Sequence, residues 1–265
     1  METILAAAVE AALSAGEILK SYFKADYQIR DKGFHNPVTT ADYASNEYLE
    51  QQLREAYPDY GWLSEETTDT SERRNKDRVW VVDPLDGTKE FIEGVPNFVV
   101  SVALVEEGRP VLGVLHNPIS GETFSAYAGG EAHLNGELIR VSPQEQLAQA
   151  EILNSRTETR RGLWKPYEGH FRRLTPIGSV AYKLGLAAAA RGDLFVTLRP
   201  KNEWDVCAGD CILSEAGGQL LCLTGDPLRY NQKQVLIKPG LVAGNPALCR
   251  AFLELYDNSN RWADQ

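Results

Sequence analysis

The sequence predicts a mixed fold, α+β in its first half and α/β in its second. Three observations carry that expectation. Apolar residues recur at helical period in two stretches between residues 1 and 56, short strand-like runs separated by turn signals fill residues 78 to 140, and strands alternate with helices from about residue 150 onward.

In the opening stretch, METILAAAVEAALSAGEILKSYF, Ile4, Leu5, Ala8, Ala12, Leu19, Tyr22 and Phe23 fall on one stripe of a helix. Glu2, Glu10 and Glu17 stand where a secretory leader would carry basic residues, so this helix is expected to remain in a cytoplasmic protein. A second helix is expected in NPVTTADYASNEYLEQQLREAYP, where Asn-Pro and a Thr-rich cap region precede Ala44, Tyr48, Leu49, Leu53 and Ala56. YGWLSEET reads as a short strand running into two acids, SERRNKD as a solvated loop, and RVWVVD as the next strand. NFVVSVALV, VLGVLHNP, ETFSAYA and AHLNGELIRV continue the series, with EEGRP marking one turn and Asn135-Gly136 a tight hairpin.

The pattern then changes. AEILNS reads as a strand, GSVAYKLGLAAAARG as a helix, DLFVTL as a strand, WDVCAGDCILSEAGG as a helix ended by Gly217-Gly218, and QLLCL as a strand, with a last helix from Pro246. This divides the chain into halves 1–140 and 141–265. No repeat or Gly/Ser-rich linker separates them, so they are expected to pack as one unit.

Composition narrows the function. The chain is long enough to bury a sizeable core, and a net charge of −10 with no basic stripe argues against binding a nucleic-acid polymer or a membrane surface. No apolar run approaches the roughly 20 residues that span a bilayer. Four cysteines build no disulfide framework, and Cys207 and Cys211 read as small buried hydrophobes because no further soft ligand lies near them. The histidines His35, His116, His133 and His170 show no metal-ligand spacing. An acidic protein still binds a phosphorylated small molecule where bound cations invert the local field.

VVDPLDGTKEF, residues 81–91, is where such cations are expected. Asp83 and Asp86 end an apolar strand, at the edge where open sheets carry their ligands, and Gly87 and Thr88 open a short helix whose N–H groups suit a phosphate. Two carboxylates beside a phosphate repel it unless a hard divalent cation lies between them, and oxygen ligands without histidine favour Mg²⁺ over zinc. The same residues also suit an ordinary Asp-Pro and Asp-Gly turn, with Asp83 as a helix cap. The haloacid dehalogenase-like phosphatases carry D-x-D-G-T in such a place. Here the spacing is D-x-x-D-G-T, and the extra residue turns the second carboxylate to a different side of the chain.

The motif keeps specific company. PVTTAD, WLSEET, DPLDGT, GSVAYKLGLAAAARGDLF and EWDVCAGDCILSEAGG follow one another in order, and together they resemble the Mg²⁺-dependent, lithium-sensitive phosphatases of the inositol monophosphatase superfamily over nearly the whole chain. The resemblance implies a layered αβαβα sandwich, with residues 1–140 carrying most metal ligands and 141–265 closing the site. It implies that Glu65 is the first ligating acid, that Asp83 bridges two metals, that the Leu85 carbonyl completes the first site, and that Asp86 and Asp205 hold the second. Asp42 matches a position that helps organise a weaker third ion, and Thr88 matches the threonine that positions the attacking water with Glu65. Leu85, Asp86, Gly87, Thr88, Ser179, Lys183 and Asp205 are the implied substrate contacts. The implied cofactor is Mg²⁺, as two or three ions, with Mn²⁺ as a substitute and Li⁺ as an inhibitor. The implied partner is a phosphorylated small molecule, taken by a monomer or homodimer.

Within the superfamily, DPLDGTKEF looks more like the 3'(2'),5'-bisphosphate nucleotidases of sulfate assimilation than the inositol enzymes, Lys89-Glu90-Phe91 being the deciding segment. The inositol enzymes tend to carry a glutamate for sugar hydroxyls before the downstream Trp-Asp. This chain has Thr197 and Leu198 in that neighbourhood and then Arg199 and Lys201, cations that suit a second phosphate. GSVAYK and NGELIRVS are instead inositol-like. Hydrolysis of adenosine 3',5'-bisphosphate is therefore the expected reaction, with inositol 1-phosphate or a broader set of sugar phosphates as the alternative. The presence of both Glu65 and Thr88 argues against a non-enzymatic sensor, and no EF-hand-like run of oxygen ligands supports a structural Ca²⁺ module.

Overall fold

Helix α1 (Glu2–Tyr22) turns a stripe of small residues, Ala8, Ala11, Ala12, Ala15 and Gly16, toward a sheet. In this computed structural model residues 1–31 and 37–261 are described; His35 and the Asn36 that opens the expected second helix segment lie outside the described residues. A short hairpin, β1 (Ile29–Asp31) with β2 (Pro37–Thr39), leads into α2 (Thr40–Ala56). The first turn of α2 closes reciprocally: Thr39 Oγ1 accepts from the Ala41 N–H at 3.1 Å, and Asp42 accepts from the Thr39 N–H at 2.7 Å.

Then come β3 (Gly61–Ser64), β4 (Arg78–Asp86), the five-residue helix α3 (Thr88–Ile92), β5 (Val99–Glu106), β6 (Arg109–Asn117), β7 (Glu122–Tyr127), β8 (His133–Leu134) and β9 (Glu137–Leu138). Strands β3 to β9 make one seven-stranded sheet in chain order, parallel between β3 and β4 and antiparallel elsewhere. Short connections make antiparallel neighbours, and the Asn135-Gly136 turn holds both residues at positive φ, 51° and 84°, as a tight hairpin requires. The segment between β3 and β4 is not simply solvated: Arg73 is 2% exposed, pairs with Asp69, and donates to Asn231 and to the Gln232 carbonyl.

The second half contains β10 (Glu151–Ser155), α4 (Arg156–Arg160), β11 (Arg173–Ile177), α5 (Val180–Ala188), β12 (Leu194–Thr197), β13 (Lys201–Asn202), α6 (Glu203–Glu215), β14 (Gln219–Cys222), β15 (Leu236–Ile237), β16 (Leu241–Gly244) and α7 (Pro246–Arg261). Five of these strands form a mixed sheet in the order β11, β10, β12, β16, β14. Edge strand β11 lies between the AEILNS strand and the GSVAYKLGLAAAARG helix, in a stretch to which the sequence pattern assigns no element. RLTPI has no buried residue and a proline, which suits an edge and disguises a strand.

Helices α1 and α2 cover one face of the large sheet, α5 and α6 lie between the two sheets, and α7 covers the far face of the small one. This is the layered αβαβα sandwich. Trp80, Val82, Leu85 and Val100 pack beneath α1 and α2, whereas Val79, Val81, Phe124, Leu184, Phe195, Cys207 and Ile212 form a core between the sheets drawn from both halves. All four cysteines are free and buried. No helix among the described residues is long and apolar enough to cross a membrane.

Candidate active site

Residues three apart on a regular strand face opposite sides. Along β4, Val79 and Val81 face the core between the sheets and Trp80 and Val82 face α1 and α2. Pairing with β5 then advances from Asp83 opposite Ser101 to Asp86 opposite Val99, three residues against two, so one residue is bulged out. Leu85 returns to the core under α1 and α2, and Asp86 comes round to the side of Asp83. The spacing alone turns the second carboxylate away from the first; the bulge turns it back.

Gly87 makes the tight exit from the strand. Its φ is +109°, and a Cβ there would lie 2.9 Å from the Asn97 carbonyl oxygen, so only glycine fits. Thr88 follows, its Oγ1 3.0 Å from Asp42 Oδ1 and 3.2 Å from the Leu85 carbonyl oxygen. Asp42 is buried in the first turn of α2, where Oδ2 accepts from the Thr39 N–H and hydroxyl.

Two further acids arrive from other elements. Glu65 extends the parallel pairing of β3 with β4, its N–H donating to the Val82 carbonyl at 3.3 Å. Asp205 sits in the first turn of α6, which is packed between the sheets, and one of its oxygens accepts from the Asn202 N–H at 2.8 Å. One carboxylate oxygen each from Glu65, Asp83 and Asp205 lies within 4.8 Å of the other two. Asp86 adjoins them but is held from the second half: Ser179 Oγ and the Ala181 N–H both donate to its Oδ2.

Burial and mutual repulsion set the electrostatics. The Asp83 carboxyl is pushed well above the usual range by burial and by the charges of Glu65, Asp86 and Asp205. Asp86 is raised by burial, a rise moderated by the Ser179 and Ala181 donors. Asp205 is raised to about 7 by burial and by Asp86, with Lys201 pulling the other way. The donor set is all oxygen, acidic and self-repelling, which fits a hard divalent cation. A carboxyl with a raised folded pKa binds its proton more tightly when folded, so its contribution is present at low pH and is lost as the pH climbs through the raised value. Without metal, the melting temperature is expected to fall between about pH 5 and about pH 8, and added Mg²⁺ to remove most of that fall. Differential scanning calorimetry checks this; a metal-free melting temperature that rises over the interval contradicts it.

The acids open into a cleft of about 320 Å³ whose walls include Gly87, Thr88, Lys89, Glu90, Ser155, Arg156, Thr157, Thr197 and Lys201. Sequence reasoning missed Arg156, which reaches across the halves to donate to Glu90 at 3.0 Å and Glu93 at 2.7 Å. One signal was available: Ser155-Arg156-Thr157 follows directly on a strand end in the α/β half. The basic residues expected at the substrate, Lys183, Arg199 and Lys201, do not form one group. Lys183 is 2% exposed, its ammonium donating to the Ile177 and Ser179 carbonyls and its pKa lowered to about 8 by burial. Arg199 does not line the cleft; with Lys89 and Lys201 it lines an adjoining cavity of about 440 Å³, and Lys201 lines both. Trp204 packs against the core between the sheets.

The comparisons point one way on family. The model of the inositol monophosphatase family matches residues 1–255. Inositol monophosphatase 2 of Solanum lycopersicum is 34% identical, with 98% of this chain and 100% of that protein covered. The 3'(2'),5'-bisphosphate nucleotidase CysQ of Aggregatibacter actinomycetemcomitans is 32% identical, covering 89% of this chain and 90% of that one. Among solved structures, the Thermotoga maritima IMPase superposes with a TM-score of 0.86 at 29% identity, over 98% of this chain and 99% of that chain. With one match running from the first helix into the last, and with buried acids gathered around a polar cleft, the chain belongs to the inositol monophosphatase family and is a metal-dependent phosphomonoesterase.

Proposed function

We propose that the chain hydrolyses a phosphorylated polyol or sugar of the inositol 1-phosphate type, with Glu65, Asp83, the Leu85 carbonyl, Asp86 and Asp205 holding the Mg²⁺ ions that the family implies. The self-repelling group of buried Asp83 with half-buried Glu65 and Asp205 carries the metal part of this reading. When bound, paired ions neutralise phosphoryl charge, acidify a water and stabilise the leaving oxygen. The chain's own residues supply position. The Thr88 hydroxyl has one proton and two acceptors, of which the Asp42 carboxylate is the stronger. With that proton committed, the hydroxyl's lone pairs accept from a water between Thr88 and Glu65 and aim it. The N–H groups of Gly87 and Thr88 open α3 without intrahelical acceptors and take phosphate oxygens.

For the substrate, the cleft wall supports a polyol over a nucleotide. Among the described residues that line it, Phe195 is the one aromatic, and Lys183 Nζ lies 5.7 Å from its ring centroid, so no open face is offered to a purine. The tomato relative is named for inositol monophosphates, and the expectation of a nucleotidase becomes the second reading. What favours that second reading is the adjoining cavity with Lys89, Arg199 and Lys201. A phosphate-release panel decides between them. Inositol 1-phosphate is expected to show a higher kcat/KM than adenosine 3',5'-bisphosphate, and replacing Arg199 and Lys201 together by Ala to change its KM by less than about two-fold. The reverse ranking, with the double variant raising KM for the bisphosphate by roughly ten-fold, establishes the nucleotidase reading instead; two exposed charge-assisted contacts are worth about 1–3 kcal/mol.

A further inference from the structure

The turn that enters α5 touches both halves of the molecule. Ser179 is a non-glycine residue at φ +56°, a conformation that L residues rarely adopt, and its neighbours hold it there. Lys183 donates to the Ser179 carbonyl at 2.6 Å and to the Ile177 carbonyl at 3.0 Å, over the ring of Phe195. On the other side, Glu90 of α3 packs so closely on Gly178 that a Cβ there would lie 2.1 Å from its carboxyl carbon. The pinned turn delivers two donors, Ser179 Oγ and the Ala181 N–H, to the same atom, Asp86 Oδ2.

We infer that Lys183 and Ser179 are positioning residues for the second metal site and not contacts for the substrate. The inference rests on the metal-dependent reading given above. Lys183 fixes the turn, the turn fixes one oxygen of Asp86, and the other oxygen is left oriented for an ion shared with Asp205. Ser179 and Lys183 border the cleft, but to serve a substrate anion the ammonium of Lys183, a residue 2% exposed, would have to give up its bonds to the Ile177 and Ser179 carbonyls and release the turn they pin. Outer partners of ligating carboxylates set their orientation, and their loss commonly weakens metal binding 10–100-fold.

Mn²⁺ titration of the metal-free protein, followed by the electron paramagnetic resonance of the free ion, tests this without turnover. In both Lys183→Met and Ser179→Ala, one binding step is expected to weaken by about ten-fold or more and the other to stay within about two-fold. KM for inositol 1-phosphate at saturating Mg²⁺ is expected to stay within about two-fold. Unchanged Mn²⁺ binding in both variants overturns the inference. So does a raised KM with metal binding intact, which puts Lys183 on the substrate. Ser179→Ala removes a single hydroxyl and answers the question if Lys183→Met does not fold. Full wild-type turnover without any metal sinks the metal-dependent reading itself, a result that the binding titration does not depend on.

Discussion

Replacing Asp83 by Asn is expected to remove most turnover while raising the melting temperature of the metal-free protein. Asp83 is 1% exposed and accepts from the Leu85 N–H at 3.0 Å, a bond that the amide oxygen keeps at nearly constant shape. What changes is one negative charge in a cluster where burial, and then the charges of Glu65, Asp86 and Asp205, hold the Asp83 carboxyl well above its usual range. Without metal, losing that charge relieves repulsion. With metal, it removes the proposed bridge, and loss of one strong electrostatic contact costs about 3–4 kcal/mol, or roughly 10²–10³-fold in kcat/KM. Steady-state kinetics at saturating Mg²⁺, paired with melting curves in chelator, check both halves of the expectation. A folded variant with near-wild-type kcat/KM takes Asp83 out of the bridge.

Exhaustive chelation is expected to abolish phosphate release, and Mg²⁺ or Mn²⁺ to restore it. In the absence of a cation the cleft presents Glu65, Asp83, Asp86 and Asp205 to a dianionic ester, with Lys183 acting on Asp86 and Lys201 on both Asp86 and Asp205 as partial counter-charges. Coulomb repulsion at such separations opposes binding as well as chemistry, because the low-dielectric walls screen it poorly. The same titration should raise the melting temperature, since an ion that binds only the folded chain stabilises it by mass action. Turnover that persists after the metal content has been shown to be negligible rules out the mechanism.

Family, layers and acids were legible in the sequence, but the roles of the basic residues were not. Lys183, Arg199 and Lys201 look equivalent as letters. One is buried over a phenyl ring, one lines a neighbouring cavity, and one lines both cavities. A long cationic side chain shows nothing locally of where its head will lie, because the stem lets it bury or snorkel according to its neighbours. Arg73 is a second case, written among charged letters that suggest solvent and held instead by a loop 158 residues away.

By itself the sequence determined what local chemistry determines. Helical period placed α1 and α2, turn residues placed the Asn135-Gly136 hairpin, and the acids came in short contiguous motifs. Only the tertiary structure decided that Asp83 and Asp86 share a face, because the bulge exists only in the pairing of β4 with β5. It alone decided that Asp86 is gripped by Ser179, 93 residues on, and that Arg156 spans 66 residues to Glu90. Those arrangements depend on which distant strands and helices pack together, and periodicity and spacing describe only residues that are neighbours along the chain.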